Sequence, residues 1–469
     1  MLKDLAKSFA VYGLASSTSK FIGVFLVPIY TRVFSPEQYG VIDLISTVVA
    51  LVSILGMVQL ESAVSRYYFE IKEDEQKRLY VSTAFWTIVL FSGIWAVLVN
   101  LAATPVSLLL FKTDQYGQSI LIAALIIPFS NIFSFLTVVM RYIKKPLVFT
   151  IFVTIQLLAT VGISVWLVVY ERIGVIGVFY GQLLGFVFVS GAMLFYLRFL
   201  LRFEWRWSVL KKFFRFSLPI VPAVAGNWAN SYVNRFFILG YLSVADIGLY
   251  TVALKIASVF KLLGSAFNMA WGPFMWENFE RPDHKETYKK VMKIVTVAVF
   301  SLVAVVSFFA SDILSLMTTE AYSNAAPLIG ILSFSIGLTI VVKTIGLGAG
   351  ITERTEFNTL IYFGSVGMNI ACLYVLVPSM GLIAVPFCQL ISTTLLVGLS
   401  WWNSERLYYI GFSKVFFVVS YMFTFILVGV SLLINMSPFL KSGVFIGVCL
   451  LFTCLFFMGK NSSMSIGNG

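Results

Sequence analysis

About fourteen apolar blocks, each some twenty residues long, divide this chain, and nothing else in it restricts the fold so strongly. A stretch of that length crosses the hydrocarbon of a bilayer as a helix. Inside hydrocarbon a helix satisfies every backbone N–H and C=O within its own segment. The spans are expected at roughly 8–31, 41–64, 80–102, 118–140, 147–170, 174–197, 217–240, 250–274, 291–314, 325–347, 357–378, 380–401, 414–434 and 439–459. The polar stretches between them are too short for a soluble domain. Composition agrees: 59% of the residues are apolar and 12% charged, against about a half and a quarter in soluble domains. The expected class is an all-α polytopic membrane protein.

A net charge of +12 raises nucleic acid as a partner. The basic residues, however, lie between apolar blocks, where cytoplasmic loops of membrane proteins collect Lys and Arg. Nucleic acid is therefore not expected. The N-terminus, alternate connections and the C-terminus hold about 24 cations, among them Lys72, Lys77, Arg78, the run Arg198–Arg215 and the run Arg281–Lys293. The other connections hold only Arg32, Lys112, Arg172 and Lys441. The asymmetry puts both termini in the cytoplasm. Lys3 and Lys7 precede an apolar stretch in the manner of a secretory signal. That stretch is long, contains Lys20 and lacks an A-x-A site, so it reads as an uncleaved first helix.

The chain resembles itself at an offset near 208. Ser35-Pro-Glu-Gln-Tyr-Gly40 aligns with Ser243-Val-Ala-Asp-Ile-Gly248, and Gly174-Val-Ile-Gly-Val-Phe-Tyr-Gly-Gln182 aligns with Gly381-Leu-Ile-Ala-Val-Pro-Phe-Cys-Gln389. Two matches in register at short turns imply a duplication of six helices. Six is even, so both halves start from the same side, as in transporters built of parallel repeats that rock about a central site. The expected organisation is a six-helix bundle over 1–200, a basic cytoplasmic linker over 201–216, a second six-helix bundle over 217–403, and two further helices with a short polar tail over 404–469.

Charges inside spans are costly and usually face a cavity or the bundle interior. Lys20 sits about 17 Å into the first span at 1.5 Å per residue. The seventh span carries Asn227, Asn230 and Asn234 at i, i+3 and i+7, followed by Arg235; the eighth carries Lys255, Lys261 and Asn268; the tenth carries Lys343. Snorkelling to the interface accounts for Lys255, Arg235 and Lys343 as well as a cavity does, and less well for Lys20 and Lys261. Interhelical hydrogen bonding accounts for the asparagines. Carboxylates inside spans are scarce, Asp43 and Glu61 being the ones within the second span, so the interior is net positive and suits an anionic ligand such as phosphate, for which lysine is a point-charge partner. Cys372, Cys388, Cys449 and Cys454 all sit in apolar blocks and read as small hydrophobes. The one histidine, His284, lies in a charged loop, which leaves no basis for histidine triads or metal sites.

Several motifs share an order with one family. Lys20 through Pro28-Ile-Tyr-Thr-Arg32-Val-Phe-Ser-Pro-Glu-Gln-Tyr39-Gly40 resembles the opening signature of bacterial O-antigen-type polysaccharide flippases, in the multidrug/oligosaccharidyl-lipid/polysaccharide exporter superfamily. Gly56 through Glu61-Ser-Ala-Val-Ser-Arg66-Tyr67, then Asn234-Arg235-Phe236 with Gly248-Leu-Tyr250, then Trp271-Gly-Pro273-Phe274, resemble its later signatures; the family often has Asp where Asn234 stands. The resemblance implies alternating-access flipping of an undecaprenyl-diphosphate-linked oligosaccharide repeat unit from the inner to the outer leaflet of the bacterial cytoplasmic (inner) membrane, for O-antigen, lipopolysaccharide or capsule. It implies transport rather than catalysis, with no cofactor and no metal. A polymerase and glycosyltransferases would be the implied partners beside the lipid and the bilayer. The expected substrate contacts are Lys20, Lys261, Lys255, Arg235, Lys343, Asn227, Asn230, Asn234 and Asn268, with Glu61 and Arg66 at a cytoplasmic gate. Two rivals stand beside this. A membrane polymerase or ligase would carry a long external catalytic loop. A drug or cation antiporter of the same superfamily would line its lumen with carboxylates.

Overall fold

The computed structural model describes residues 23–354 and 356–433, together with Gly443 and Gly447. Among them there are helices and turns and no strand. Ten segments are long and apolar enough to cross a membrane. One of these, Glu356–Leu407, holds two expected spans. It turns at 381–383, where Gly381 takes φ 67°, and the helices on either side pack on each other. Another helix, Val221–Tyr241, carries three asparagines and an arginine and is absent from the ten for that reason. Twelve of the fourteen expected spans are thus helical; 8–31 and 439–459 lie mostly outside the described residues.

The chain forms two compact units. The first comprises Arg32–Leu239 and Ser243–Gly248. Its spanning helices are α1 (Pro36–Met57), α3 (Asp74–Leu101), α5 (Gly117–Tyr142), α6 (Pro146–Val165), α7 (Val175–Leu197) and α9 (Val221–Tyr241); α2 (Leu60–Tyr68), α4 (Ala103–Phe111) and α8 (Trp207–Ser217) are short. α5 is central and packs on α1, α3 and α7, while α6 covers α7 from outside. Close approach of α6 and α7 needs glycine: a methyl at Gly181 or Gly185 would stand 2.2 Å from Ser164 Oγ or 2.3 Å from Thr160 Oγ1. α1 does not run unbroken to Val64 as the apolar pattern implies. Val58 and Gln59 take φ of 48° and 54°, ending it before α2.

The second unit comprises Gly23–Thr31, Gly240–Leu242 and the residues from Leu249 onward. It contains most of α10 (Val244–Ala257), then α11 (Val259–Asn278), α12 (His284–Phe308), α13 (Ala310–Met317), α14 (Ala326–Ile345), α15 (Gly348–Ile351), α16 (Glu356–Met380), α17 (Ala384–Leu407) and α18 (Lys414–Leu433). α14 is central here and packs on α11, α12 and α17, with α16 on α17 and α18 on α12. The fourth expected span is thus the hub of one unit and the tenth the hub of the other, the same neighbours recurring six helices later.

The duplication is visible in local chemistry. Ser35 and Gln38 form a capping box at α1, with side chain and backbone exchanging bonds of 3.1 and 3.3 Å. Ser243 and Asp246, the equivalents 208 residues on, form the same exchange at α10, at 3.1 and 3.2 Å. Each box satisfies N–H groups that a helix start leaves open. Five residues after each capping serine stands a glycine that touches the other turn. A methyl at Gly40 would stand 2.0 Å from the Val244 carbonyl oxygen, and one at Gly248 would stand 1.9 Å from that of Pro36. The contact is reciprocal, each glycine meeting the carbonyl of the other turn. At the second match Gly174 and Gly381 take φ of 73° and 67°, a left-handed conformation that favours glycine.

Candidate functional site

Within the first unit α9 is the polar helix. Asn227 is exposed, Asn230 half-buried and Asn234 buried, one face passing from open surface to packed interior. Arg235 is buried against α1, where its Nε pairs with Asp43 Oδ2 and its Nη2 donates to Asp43 Oδ1 at 3.4 Å. Its Nη1 donates to the Ser231 carbonyl at 3.0 Å, and the Tyr232 ring lies 4.8 Å from the guanidinium carbon. The two side chains of the pair are 6% and 13% exposed. Arg235, expected among the anion-binding cations, therefore has its charge matched by a carboxylate on α1. At such burial the attraction is strong and the alternative is an uncompensated charge. The Trp228 indole donates to the Thr47 carbonyl at 3.2 Å, a second tie of α9 to α1. These contacts explain why α9 to Leu239 groups with the first unit.

Within the second unit the eighth span is interrupted at Ser258, between α10 and α11. Ser258 Oγ donates to the Lys255 carbonyl at 2.6 Å, and the Lys261 N–H donates to the Ser258 carbonyl at 2.9 Å. Lys255, Lys261 and Asn268 are all exposed on this broken span. At about 100° per residue Lys261, Ser265 and Asn268 fall within one narrow stripe of α11. The flanks of the stripe are packed, with Phe260 and Trp271 buried on one side and Leu262 on the other, while the side opposite it, with Val259, Leu263 and Phe274, is exposed. Gly23 stands beside Lys255, since a methyl there would lie 3.5 Å from Nζ. Lys343 is exposed on α14, and its carbonyl accepts a bond from Trp271 Nε1 at 3.2 Å. That bond places the Lys343 turn next to the Trp271-Gly-Pro-Phe motif, whose tryptophan packs with Phe267, Phe274 and Tyr288. Lys20 lies outside the described residues.

Glu61 and Arg66, the residues expected at a cytoplasmic gate, have different neighbours. Arg66 pairs with Glu70 one turn on in an exposed contact. Glu61 instead lies toward α5, where Arg141 and the Ser134 hydroxyl act on its carboxylate. Beside it Ser65 and Tyr142 are hydrogen-bonded. The break at Val58–Gln59 begins α2 anew, and Glu61 on α2 meets α5. In the sequence Asp43 is one carboxylate within an apolar block and Arg141 one cation at the end of another. No local signal pairs residues 192 positions apart.

Cys388 is buried and Cys372 half-buried, both free thiols. His284 opens α12, bonded to the Arg281 carbonyl at 2.6 Å and the Tyr408 hydroxyl at 2.7 Å. Among the described residues no group of three or more His, Cys, Asp or Glu is placed to hold a metal ion.

Comparisons with known proteins fit this architecture. The chain is 21% identical over 345 residues to the succinoglycan biosynthesis transport protein ExoT of Rhizobium meliloti, covering 69% of this chain and 65% of that one. It is 25% identical over 288 residues to the Lsg locus putative protein 1 of Haemophilus influenzae, covering 58% of this chain and 66% of that one. The chain thus spans just under two thirds of the length of these relatives. Its fold is that of the lipid II flippase MurJ in an inward closed conformation, with a TM-score of 0.73 at 15% identity over 96% of this chain and 99% of that one. An inward-facing multidrug resistance MATE transporter of the MOP superfamily matches with a TM-score of 0.61 at 16% identity, over 84% and 95%. A family model described as polysaccharide biosynthesis protein matches residues 29–327. This multi-pass membrane chain, with its duplicated six-helix units, belongs to the polysaccharide biosynthesis protein family.

Proposed function

We propose that the chain is a flippase that moves a lipid-diphosphate-linked oligosaccharide from the inner to the outer leaflet of the cytoplasmic membrane by alternating access, supplying units for a surface polysaccharide such as O-antigen or capsule. The observation that carries the proposal is the charge of the membrane interior. Carboxylates are scarce inside the expected spans: Asp43 pairs with Arg235, Glu61 sits in the field of Arg141, and Asp312 stands near the end of the ninth span. The broken eighth span meanwhile exposes Lys255, Lys261 and Asn268, and α14 exposes Lys343. Lysines of this kind suit a diphosphate, and amides suit sugar hydroxyls. A drug or cation antiporter needs carboxylates turned to its substrate, and a polymerase needs a catalytic external segment. The external connections here are short helices and turns, such as α4 and α13.

In this reading Lys20, Lys255 and Lys261 hold the phosphates while Asn227, Asn230 and Asn268 contact the sugar. The prenyl chain stays in lipid. Both termini and the Arg198–Arg215 run face the cytoplasm, so negative charge moves outward. A negative-inside potential favours that by about 2.3 kcal/mol per charge per 100 mV. Glycosyltransferases that build the unit and a polymerase that consumes it would act on the same lipid on opposite leaflets.

The test uses cells lacking the protein. They are expected to assemble the lipid-linked unit and retain it on the inner leaflet, so that an impermeant sugar-modifying enzyme reaches it only after lysis. Modification in intact cells would refute the flippase reading and favour a polymerase. Unaltered surface polymer would favour a drug exporter.

A further inference from the structure

The segment joining α7 to α9 is a fixed platform rather than a loose tether. The Arg202 N–H donates to Ser82 Oγ at 2.9 Å and the Arg206 N–H to Thr83 Oγ1 at 3.4 Å. Trp86 Nε1 donates to the Arg202 carbonyl at 2.9 Å, and Trp205 Nε1 to Thr87 Oγ1 at 3.1 Å. The segment is thereby stitched along one face of α3. α8 then buries Val209, Leu210 and Phe213 against α2 and α3.

The outward side has a different chemistry. Trp207, Lys211 and Arg215 recur every four residues on α8, with Leu218 just beyond its end. At 100° per residue the four fall within about 80° of arc, and all are exposed. Phe199 and Phe203 are exposed on the approach, Phe203 by 90%. Residues 198–218 hold six cations and one carboxylate, Glu204. Arg202 takes up both Glu204, at 3.6 Å, and Glu75, at 3.1 Å. Among the described residues the other five, Arg198, Arg206, Lys211, Lys212 and Arg215, have no ion-pair partner. Lys212 lies 4.1 Å over the Tyr67 ring and Arg198 4.4 Å over the Phe195 ring, which leaves their charges without a counter-ion.

Bare aromatics and unbalanced cations on one surface ask for an environment that is apolar at one depth and anionic at the next. Water meets neither need. The headgroup and acyl boundary of an anionic leaflet meets both, with tryptophans at headgroup level and cations on the phosphates. The segment starts at Leu197, the last residue of a membrane-spanning helix, so it lies at the level of that boundary.

We propose that the segment Arg198–Leu218 is a docking surface for anionic phospholipid of the leaflet on its side, with Lys211 and Arg215 on the headgroup phosphates beside Trp207. The proposal rests on α7 and α9 spanning the membrane and not on what the protein transports.

The test reconstitutes the full chain in phosphatidylcholine vesicles containing brominated phosphatidylglycerol or, in parallel, brominated phosphatidylcholine, and reads tryptophan quenching. A Trp205→Phe/Trp207→Phe variant isolates the share of these two among the ten tryptophans. The expected result is stronger quenching of that share by phosphatidylglycerol, weakening as salt is added. In Lys211→Gln/Arg215→Gln the apparent preference should fall by about five-fold for each cation removed. Lys285→Gln/Lys289→Gln, in a different loop, should leave it unchanged. Equal quenching by the two lipids, as an acidic protein partner would predict, overturns the proposal. So does a preference that is indifferent to salt in the unaltered protein, a readout that needs no variant to fold.

Discussion

Replacing Asp43 by Asn tests the packing of α9 on α1 at its strongest point. The change keeps the side chain's shape and removes its charge, leaving Arg235 buried without this carboxylate, with the Ser231 carbonyl and the Tyr232 ring among its remaining contacts. Breaking a buried pair from one side costs about 3–5 kcal/mol, because the remaining charge is uncompensated. Here the discount usual for surface pairs does not apply, since the partners are 6% and 13% exposed. The retained carbonyl and ring contacts place the expected loss at the lower end, about 3 kcal/mol, or roughly a hundred-fold in the folding equilibrium. Replacing both partners, Asp43→Leu with Arg235→Met, removes the stranded charge and should recover most of that loss. A double-mutant cycle on the purified protein, followed by denaturant-induced unfolding in detergent, measures the coupling. Asp43→Asn as stable as the parent, or a double variant that merely sums the single losses, would refute the pairing as the tie between these helices.

The remaining predictions follow from the same geometry. Gly40→Ala and Gly248→Ala should destabilise by similar amounts, about 1–3 kcal/mol each as the helices are forced apart, and their combination should cost less than the sum because one displacement relieves both contacts; Gly364→Ala, with open space around it, should be neutral or slightly stabilising. Lys261→Gln should abolish polymer export at normal protein levels, whereas Lys289→Gln, whose lysine pairs with Glu286 on the surface at 2.7 Å, should not; wild-type export by the first would remove Lys261 from the substrate site. Single cysteines in the Arg198–Arg215 run of a cysteine-free chain should resist an impermeant thiol reagent on intact cells, whereas a cysteine at Lys112 should react; labelling of the run from outside would reverse the topology.

The sequence was most legible where the constraint is repeated. Apolar length located the spans, and two aligned turns exposed the duplication because a capping serine, its partner three residues on and a glycine two beyond that serve the same contact in both halves. Breaks were less legible. Val58 and Gln59 carry no glycine or proline to announce a left-handed pair, and the interruption at Ser258 lies within an apolar run. Pairing was least legible. Arg235 and the asparagines of α9 were evident as costly residues, but whether a buried cation awaits a ligand or already has a carboxylate depends on a helix 192 residues away. The same holds for Glu61, whose neighbouring cation, Arg141, belongs to α5 rather than to its own turn.

The central claim is that the protein moves a glycolipid between leaflets without altering it. The most direct measurement incorporates the purified chain into vesicles with the lipid-linked saccharide extracted from cells lacking it, placed in one leaflet. Exposure in the other leaflet is then followed with an impermeant sugar-modifying enzyme. Transfer is expected to proceed in the presence of the protein, to stop in Lys261→Gln, and to return the saccharide chemically unchanged. Transfer no faster than in protein-free vesicles, or a saccharide recovered longer or cleaved, would contradict the account.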